Sequence, residues 1–364
     1  LKLYVYIIRR ILLLIPVIIG VTVLTFFLSH ANLTLLIDGY LGRIRTPAHI
    51  AIVKAELHLN MPVYAQYFYY LGNLFTGNWG YLAPTELFDA GTPVFVEFER
   101  RFPPTMELAL LATALVLVMG LPLGVFSAVK KDRLTDQATR VLAMVGVSIP
   151  VFWLGILILI YFGPNSVLPF QLRLLGSGQI PPSYYYVPGT SILEPWVNTK
   201  VSGLTQPTGF LLIDTLYYGD VSAFLAGLYT LFWPALTVAL TSFALVTRFL
   251  RSSMLEVMGQ DYVRTARSKG VPEHFVIHKH VRRNALGATT TVMGLFFATL
   301  LSGVVVTETV FGWPGMGRWL FSAAIGGDMV SIMATTFIFT IIIVVANLIV
   351  DIIYSFLDPR VRLE

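Results

Sequence analysis

The stretch Asp261-Tyr-Val-Arg-Thr-Ala-Arg-Ser-Lys-Gly270-Val-Pro-Glu-His-Phe-Val-Ile-His-Lys-His280-Val-Arg-Arg-Asn284 stands between two apolar blocks. It is basic, lightly amphipathic and punctuated once, at Gly270-Val271-Pro272. Glycine readily takes the left-handed conformation that ends a helix. Proline suits the first position of the next helix, where its missing N–H costs nothing. The stretch therefore reads as helix, sharp corner, helix. A rigid corner can transmit a push, and its basic face suits an acidic groove on a partner. An ordinary basic loop beside a membrane has the same composition, and the residues alone leave both readings open.

The rest of the chain decides the fold class. Its 364 residues are 56% hydrophobic and only 12% charged, with a mean hydropathy of +0.74. Soluble domains average about 25% charged residues, and a soluble fold of this length could not hide so much apolar surface. The class is an all-α, polytopic integral membrane protein. A net charge of +5 then reads as basic residues gathered on cytoplasmic loops, with no nucleic-acid partner. With no cysteine, disulfides, thiol catalysis and Cys-ligated metal are excluded.

Six apolar blocks are expected to span: Ile11–Leu28, Thr105–Val129, Val141–Phe162, Phe224–Val246, Thr289–Phe311 and Ile332–Leu357. The first is long enough to cross and lacks a cleavage pattern, so it reads as a retained helix at 1–30. Residues 31–103 form an outer loop whose Tyr- and Phe-rich part, Pro62 to Phe75, suits an interfacial helix. Residues 104–364 carry the other five spans. Among them lie an extracytoplasmic insert, 165–221, read as turns with a small strand-rich part as an open alternative, and the hairpin region 248–288. The second span contains Gly120-Leu-Pro-Leu-Gly124, tolerated where neighbours satisfy the freed backbone, and the third is broken at Ser148-Ile-Pro150. With both termini in the cytoplasm, seventeen Lys and Arg fall inside and eight outside, which fixes the orientation by charge.

No GxxxxGK[ST] loop occurs, so the chain should not bind ATP itself. No HExxH or G-x-S-x-G motif occurs either. His274 and His278 share a helix face at i, i+4, but His280 does not, so a basic surface is preferred to a metal site. Acids inside spans are candidates for function by default; they are Glu107, Glu308 and Asp351. A partnered structural acid is the reading preferred for them. Asn32-Leu-Thr34 matches a glycosylation sequon, a pattern frequent by chance.

Several stretches together resemble one family. Tyr6 through Pro16 with Gly20-Val21, Gln66-Tyr67 through Gly77-Asn-Trp-Gly80, and Arg101-Phe-Pro-Pro-Thr-Met-Glu-Leu-Ala109 come first. Gly120 to Val125, Ser148 to Gly155, Arg251 to Val257, Glu308 to Gly317 and Leu357 to Arg362 follow in order. The chain resembles the B-type inner-membrane permease subunit of dipeptide/oligopeptide ABC importers, a family that also includes nickel and oligosaccharide importers. In that resemblance the opening stretch is the EAA loop. Its triplet here is Arg264-Thr265-Ala266, the form common in peptide-type members. Leu286-Gly287-Ala288 lacks the Pro that commonly follows the leucines, and the insert 165–221 is longer than in many members.

The resemblance implies a type I ABC importer permease fold and a non-catalytic subunit in the plasma membrane. It implies a second, C-type permease as partner in a heterodimer, two cytoplasmic ATPase subunits that hold ATP and Mg, and an outer substrate-binding protein. This chain itself would bind no cofactor. The implied mechanism is alternating access driven through the 262–275 corner. The coupling hairpin would dock through Tyr262, Arg264, Thr265, Ala266, Arg267, Lys269, Gly270, Val271, Pro272 and Phe275. Candidate path-facing positions are the Gly, Ser and Thr residues of the fifth span and the Pro breaks. Peptides are the expected solute, with oligosaccharides as the alternative. An ion-coupled carrier that depends on an acid such as Asp351 is the competing class.

Overall fold

The computed structural model describes residues 3–31, 33–41, 46–82, 92–162, 208–287 and 304–357. Among these residues the chain is helical and contains no strand. The single bridge, Tyr81 with Pro93, closes the ends of a loop whose middle is not described. Helix α1 (Leu3–Ala31) is followed by three short helices, α2 (Leu33–Leu41), α3 (Pro47–Glu56) and α4 (Val63–Thr76). The aromatic stretch forms a helix, α4. Its Tyr67 and Tyr70 hydroxyls meet Thr22 and Thr25 of α1 at 3.0 and 3.1 Å. Its Tyr64, Phe68 and Phe75 are exposed, the side that suits a headgroup layer.

Helix α5 runs unbroken from Val94 to Val129. The sequence reading began this span at Thr105, with Glu107 in its first turn. The helix instead passes through Pro103-Pro104. Glu107 therefore lies well inside it rather than in its first turn. Pro122 does not break the helix either. The two neighbouring glycines have another use: a Cβ at Gly120 would meet Val246 Cβ at 3.1 Å, and one at Gly124 would meet Leu250 Cβ at 3.0 Å. Small residues here let α5 lie against α9 (Val221–Met258). The main apolar core forms along that contact, with Leu108, Ala112 and Val116 facing Ala235, Val238 and Ala239.

The third expected span is two helices, α6 (Leu134–Ser148) and α7 (Val151–Phe162), bent by 99° at the Ser148–Pro150 break. Ile149 precedes proline and is extended, at φ −83° and ψ 121°, as steric clash with a proline ring requires. At 1.5 Å per residue neither helix alone reaches across a hydrocarbon core of roughly 30 Å. A Cβ at Gly146 would fall 2.6 Å from the Leu240 carbonyl, so α6 also crosses α9 at close range.

Helix α8 (Leu211–Tyr217) precedes α9. Beyond α9 come α10 (Asp261–Ser268) and α11 (Glu273–Phe275), and α11 continues as a π-helix over Val276–Val281. The later part holds α12 (Met316–Gly326) and α13 (Met329–Leu357). Among the described residues, four helices are long and apolar enough to cross a membrane, and the bent pair makes a fifth candidate. The expected fifth span is described only from residue 304 onward, so its crossing and its path-facing candidates other than Thr307 and Thr309 lie outside the described residues. The same holds for the strand-rich reading of most of the insert 165–221, for the C-terminal Asp358 to Arg362, for Asn32 and for the side chain of Asp351.

Candidate functional site

The hairpin has a defined corner. Helix α10 ends in a paired closure: the Gly270 N–H donates to the Arg267 carbonyl at 2.9 Å and the Val271 N–H to the Ala266 carbonyl at 3.3 Å. Gly270 sits at φ +73°, the left-handed geometry that this closure needs. Pro272 stands one position earlier than expected, as the residue before α11 rather than its first. Its carbonyl accepts from the N–H groups of Phe275 and Val276 at 2.9 and 3.1 Å. Arg267 straps the corner with two bonds to Glu273, at 2.7 and 3.1 Å. Its guanidinium holds the Glu273 carboxyl below the usual value, and the carboxylate raises Arg267 in turn.

One face of the hairpin is buried. Val263 and Ala266 from α10 join Val276, Val281 and Ala285 from the second arm in a cluster with Ala128 of α5 and Leu250 and Met254 of α9. Val276 and Val281 are five residues apart and both fully buried. The i→i+5 winding of a π-helix brings such a pair to one side. The sequence pattern did not reveal that winding. Ser253 of α9 also donates to the Ala285 carbonyl at 3.1 Å. The other face carries Tyr262, Arg264, Thr265, Arg267, Lys269 and Phe275, all exposed. A Cβ at Gly270 would meet nothing within 4 Å, so the corner itself projects into open space. Ala266 turns inward, and Val271 packs against the cluster.

A second feature braces the same end of the bundle, and sequence reasoning missed it. Asp136 of α6 is fully buried. Its two oxygens accept from Nε and Nη2 of Arg251 on α9, each at 2.8 Å. Ser127 of α5 donates a short hydrogen bond to it, and the Asp132 N–H donates at 3.0 Å. Arg140 approaches at 3.4 Å. Three long elements thus meet at one carboxylate. The available signal was an acid in a loop dense with Lys130, Lys131, Arg133 and Arg140, but nothing in the pattern named Arg251 as its partner.

The remaining candidates lie at the far end of α5. Thr105 and Ala128 are 23 residues apart, roughly 35 Å along a helix, about the thickness of a bilayer core. Glu308 is fully buried. It accepts from the Thr105 hydroxyl at 2.6 Å and from the N–H groups of Gly317 and Arg318 at 2.6 and 3.1 Å. The Thr105 oxygen accepts from the Met316 N–H at 2.8 Å. Glu308 and Thr105 together therefore cap the N-terminus of α12, where negative charge is favoured. A Cβ at Gly315 would overlap the carboxylate, so the glycines of Trp313-Pro-Gly-Met-Gly317 make room for it. Glu107 accepts from the Leu212 N–H at 2.8 Å. Among the described residues, His274, His278 and His280 do not gather into a metal-holding group.

Comparison with known proteins gives this geometry a family. Residues 120–363 match the family described as binding-protein-dependent transport system inner membrane component, and residues 3–109 match its N-terminal counterpart. The chain belongs to this family. It is 36% identical over 354 residues to the probable D,D-dipeptide transport system permease protein of Escherichia coli K12, covering 96% of this chain and 94% of that protein. It is 34% identical to the dipeptide transport system permease protein of the same strain, with 98% of each chain covered. The oligopeptide transport system permease protein of Bacillus subtilis 168 is 33% identical, over 98% of this chain and 99% of the relative. The fold and family read from the sequence are those of a multi-pass membrane permease.

Proposed function

We propose that this chain is the membrane subunit of an ATP-driven peptide importer, and that its hairpin is where an ATPase subunit docks. The carrying observation is the two-faced hairpin: Val263, Ala266, Val276 and Val281 share one buried cluster with α5 and α9, while Tyr262 and Phe275 stay exposed. A force on the outer face is delivered to two long helices at once. Exposed aromatic and arginine side chains are the residue types that anchor protein interfaces.

The remaining parts of the reading rest on membership of the family and on relatives whose names specify dipeptides and oligopeptides. A second permease subunit would complete the path, a binding protein would deliver the solute, and two ATPases would hold ATP and Mg. This chain would contribute no catalytic residue and would keep both termini in the cytoplasm. ATP-driven closure of the ATPases would move the corner and switch the path between inward- and outward-open. Glu308 is engaged at a helix N-terminus, which gives the ion-coupled alternative no support there.

The test is Gly270→Val in the reconstituted importer. Open space around Gly270 means that the cost is backbone strain alone, about 1–2 kcal/mol. The variant should fold, hydrolyse ATP and lose uptake. Gly270→Asn, which tolerates the left-handed conformation better, should keep most coupling. Unchanged coupling in Gly270→Val would sink the docking role.

A further inference from the structure

A groove of about 480 Å³ opens between the hairpin end of α5 and the second arm of the hairpin. Its walls are apolar, formed by residues such as Val125, Phe126, Leu250 and Ile277. Its rim carries Lys130, His274, His278 and Arg282, and no carboxylate lines it. Lys130 and Arg282 are exposed. Among the described residues neither enters an ion pair, in contrast to Arg140, Arg251, Arg264 and Arg267 nearby.

We propose that this groove holds an acyl chain of an anionic phospholipid, with the lipid phosphate at Lys130 and Arg282. The wall lies on α5, a helix long and apolar enough to cross the bilayer, so the groove opens where that helix leaves the hydrocarbon. Phe126 is 59% exposed and Val129 43%, and an acyl chain removes such surface from water. Basic side chains clustered beside a spanning helix are the pattern that attracts anionic headgroups. A free phosphate would answer the rim and leave the walls wet. An apolar protein helix would cover the walls and leave the cations unanswered. An anionic phospholipid answers both. The proposal is independent of which solute the chain passes.

The chain offers a clean probe, because its sequence has no cysteine. A Phe126→Cys variant is placed in nanodiscs of phosphatidylcholine alone or of phosphatidylcholine with phosphatidylglycerol, and maleimide labelling is timed. Labelling should slow only when phosphatidylglycerol is present. In native mass spectrometry, the otherwise unaltered chain should retain phosphatidylglycerol in preference to phosphatidylcholine. Lys130→Gln with Arg282→Gln should reduce that preference about thirtyfold, from roughly fivefold per cation near a charged surface. Equal protection by the two lipids, or a preference unchanged in the double variant, overturns the proposal. Protection by inorganic phosphate alone would make the site a free-anion site, and protection that requires a second permease subunit would make it a protein interface. Either result also overturns it.

Discussion

Replacing Glu308 tests whether its burial is structural. The side chain satisfies three donors: the Thr105 hydroxyl and the backbone N–H groups of Gly317 and Arg318. In Glu308→Ala the hydroxyl can rotate, but the two N–H groups cannot find another acceptor in place. Each unsatisfied buried donor costs about 1–3 kcal/mol, partly offset because a desolvated carboxylate is removed. A net loss of about 3 kcal/mol in the local stability of the α12 start follows. Glu308→Gln behaves differently. Its amide oxygen can still serve Gly317 and Arg318, and its NH2 can face the Thr105 oxygen, which has a second lone pair besides the one used by Met316. Only charge assistance is lost, about 1 kcal/mol. Hydrogen exchange at the Gly317 and Arg318 amides reads this local opening directly. Protection should fall roughly 150-fold in Glu308→Ala and about fivefold in Glu308→Gln. Thr105→Val should fall between them, and the Thr105→Val/Glu308→Ala pair should lose less than the sum because they share a bond. Equal protection in Glu308→Ala and the parent chain would refute the capping role, as would a Gln variant no better than Ala.

Two further changes probe the hairpin end. Arg251→Met strands the buried Asp136 with only Ser127, the Asp132 N–H and the half-exposed Arg140. Breaking one side of a buried pair costs roughly 3 kcal/mol, so the thermal midpoint of the detergent-solubilised chain should fall, and Asp136→Asn in the same chain should restore part of it. A double variant no more stable than Arg251→Met would count against the clamp. Arg267 and Glu273 give a weaker, pH-dependent effect. Both are substantially exposed, at 40% and 54%, so Glu273→Gln should cost under about 1 kcal/mol and less in high salt. Because Arg267 lowers the Glu273 carboxyl from 4.5, the pair's contribution is present above that value and is lost as pH falls through the lowered one. Corner amide exchange in the parent chain and in Glu273→Gln should therefore differ at neutral pH and converge in acid. A difference that persists in acid would show that the pair does not act by charge.

The corner was legible because its code is local. Gly270 and Pro272 act within a few residues of themselves, and the chemistry of a helix stop does not depend on distant partners. Even so, Pro272 moved by one position, since a residue without an N–H fits equally before a helix or at its start. The start of α5 was not legible: apolar content put it at Thr105, but the helix passes through Pro103-Pro104, and the Pro104 carbonyl accepts from the Trp313 indole at 3.1 Å. The long-range ties were not legible at all. Asp136 and Arg251 are separated by 115 residues and Thr105 and Glu308 by 203. Periodicity reports which face of a helix is apolar, and it carries no information about which distant polar group will meet it.

These polar ties hold α5 near Ser127 and near Thr105, and little polar holds the stretch between them. There the helix meets α9 through Gly120 and Gly124, with one long hydrogen bond from Thr247 to the Gly120 carbonyl at 3.3 Å. Smooth contact between small residues resists separation more than sliding, because no strong directional bond must break. The end ties set the opposite condition. At the hairpin end, Asp136 binds Arg251 of α9 and Ser127 of α5, and the buried cluster joins both helices to the corner. At the far end, Thr105 of α5 is held to Glu308 and to the start of α12. In the proposed docking, a displacement of the corner would bear on the hairpin ends of α5 and α9 together, and α5 would connect them to the α12 cap. In that proposal α5, rather than the hairpin alone, links the corner to the α12 cap, because it contacts both.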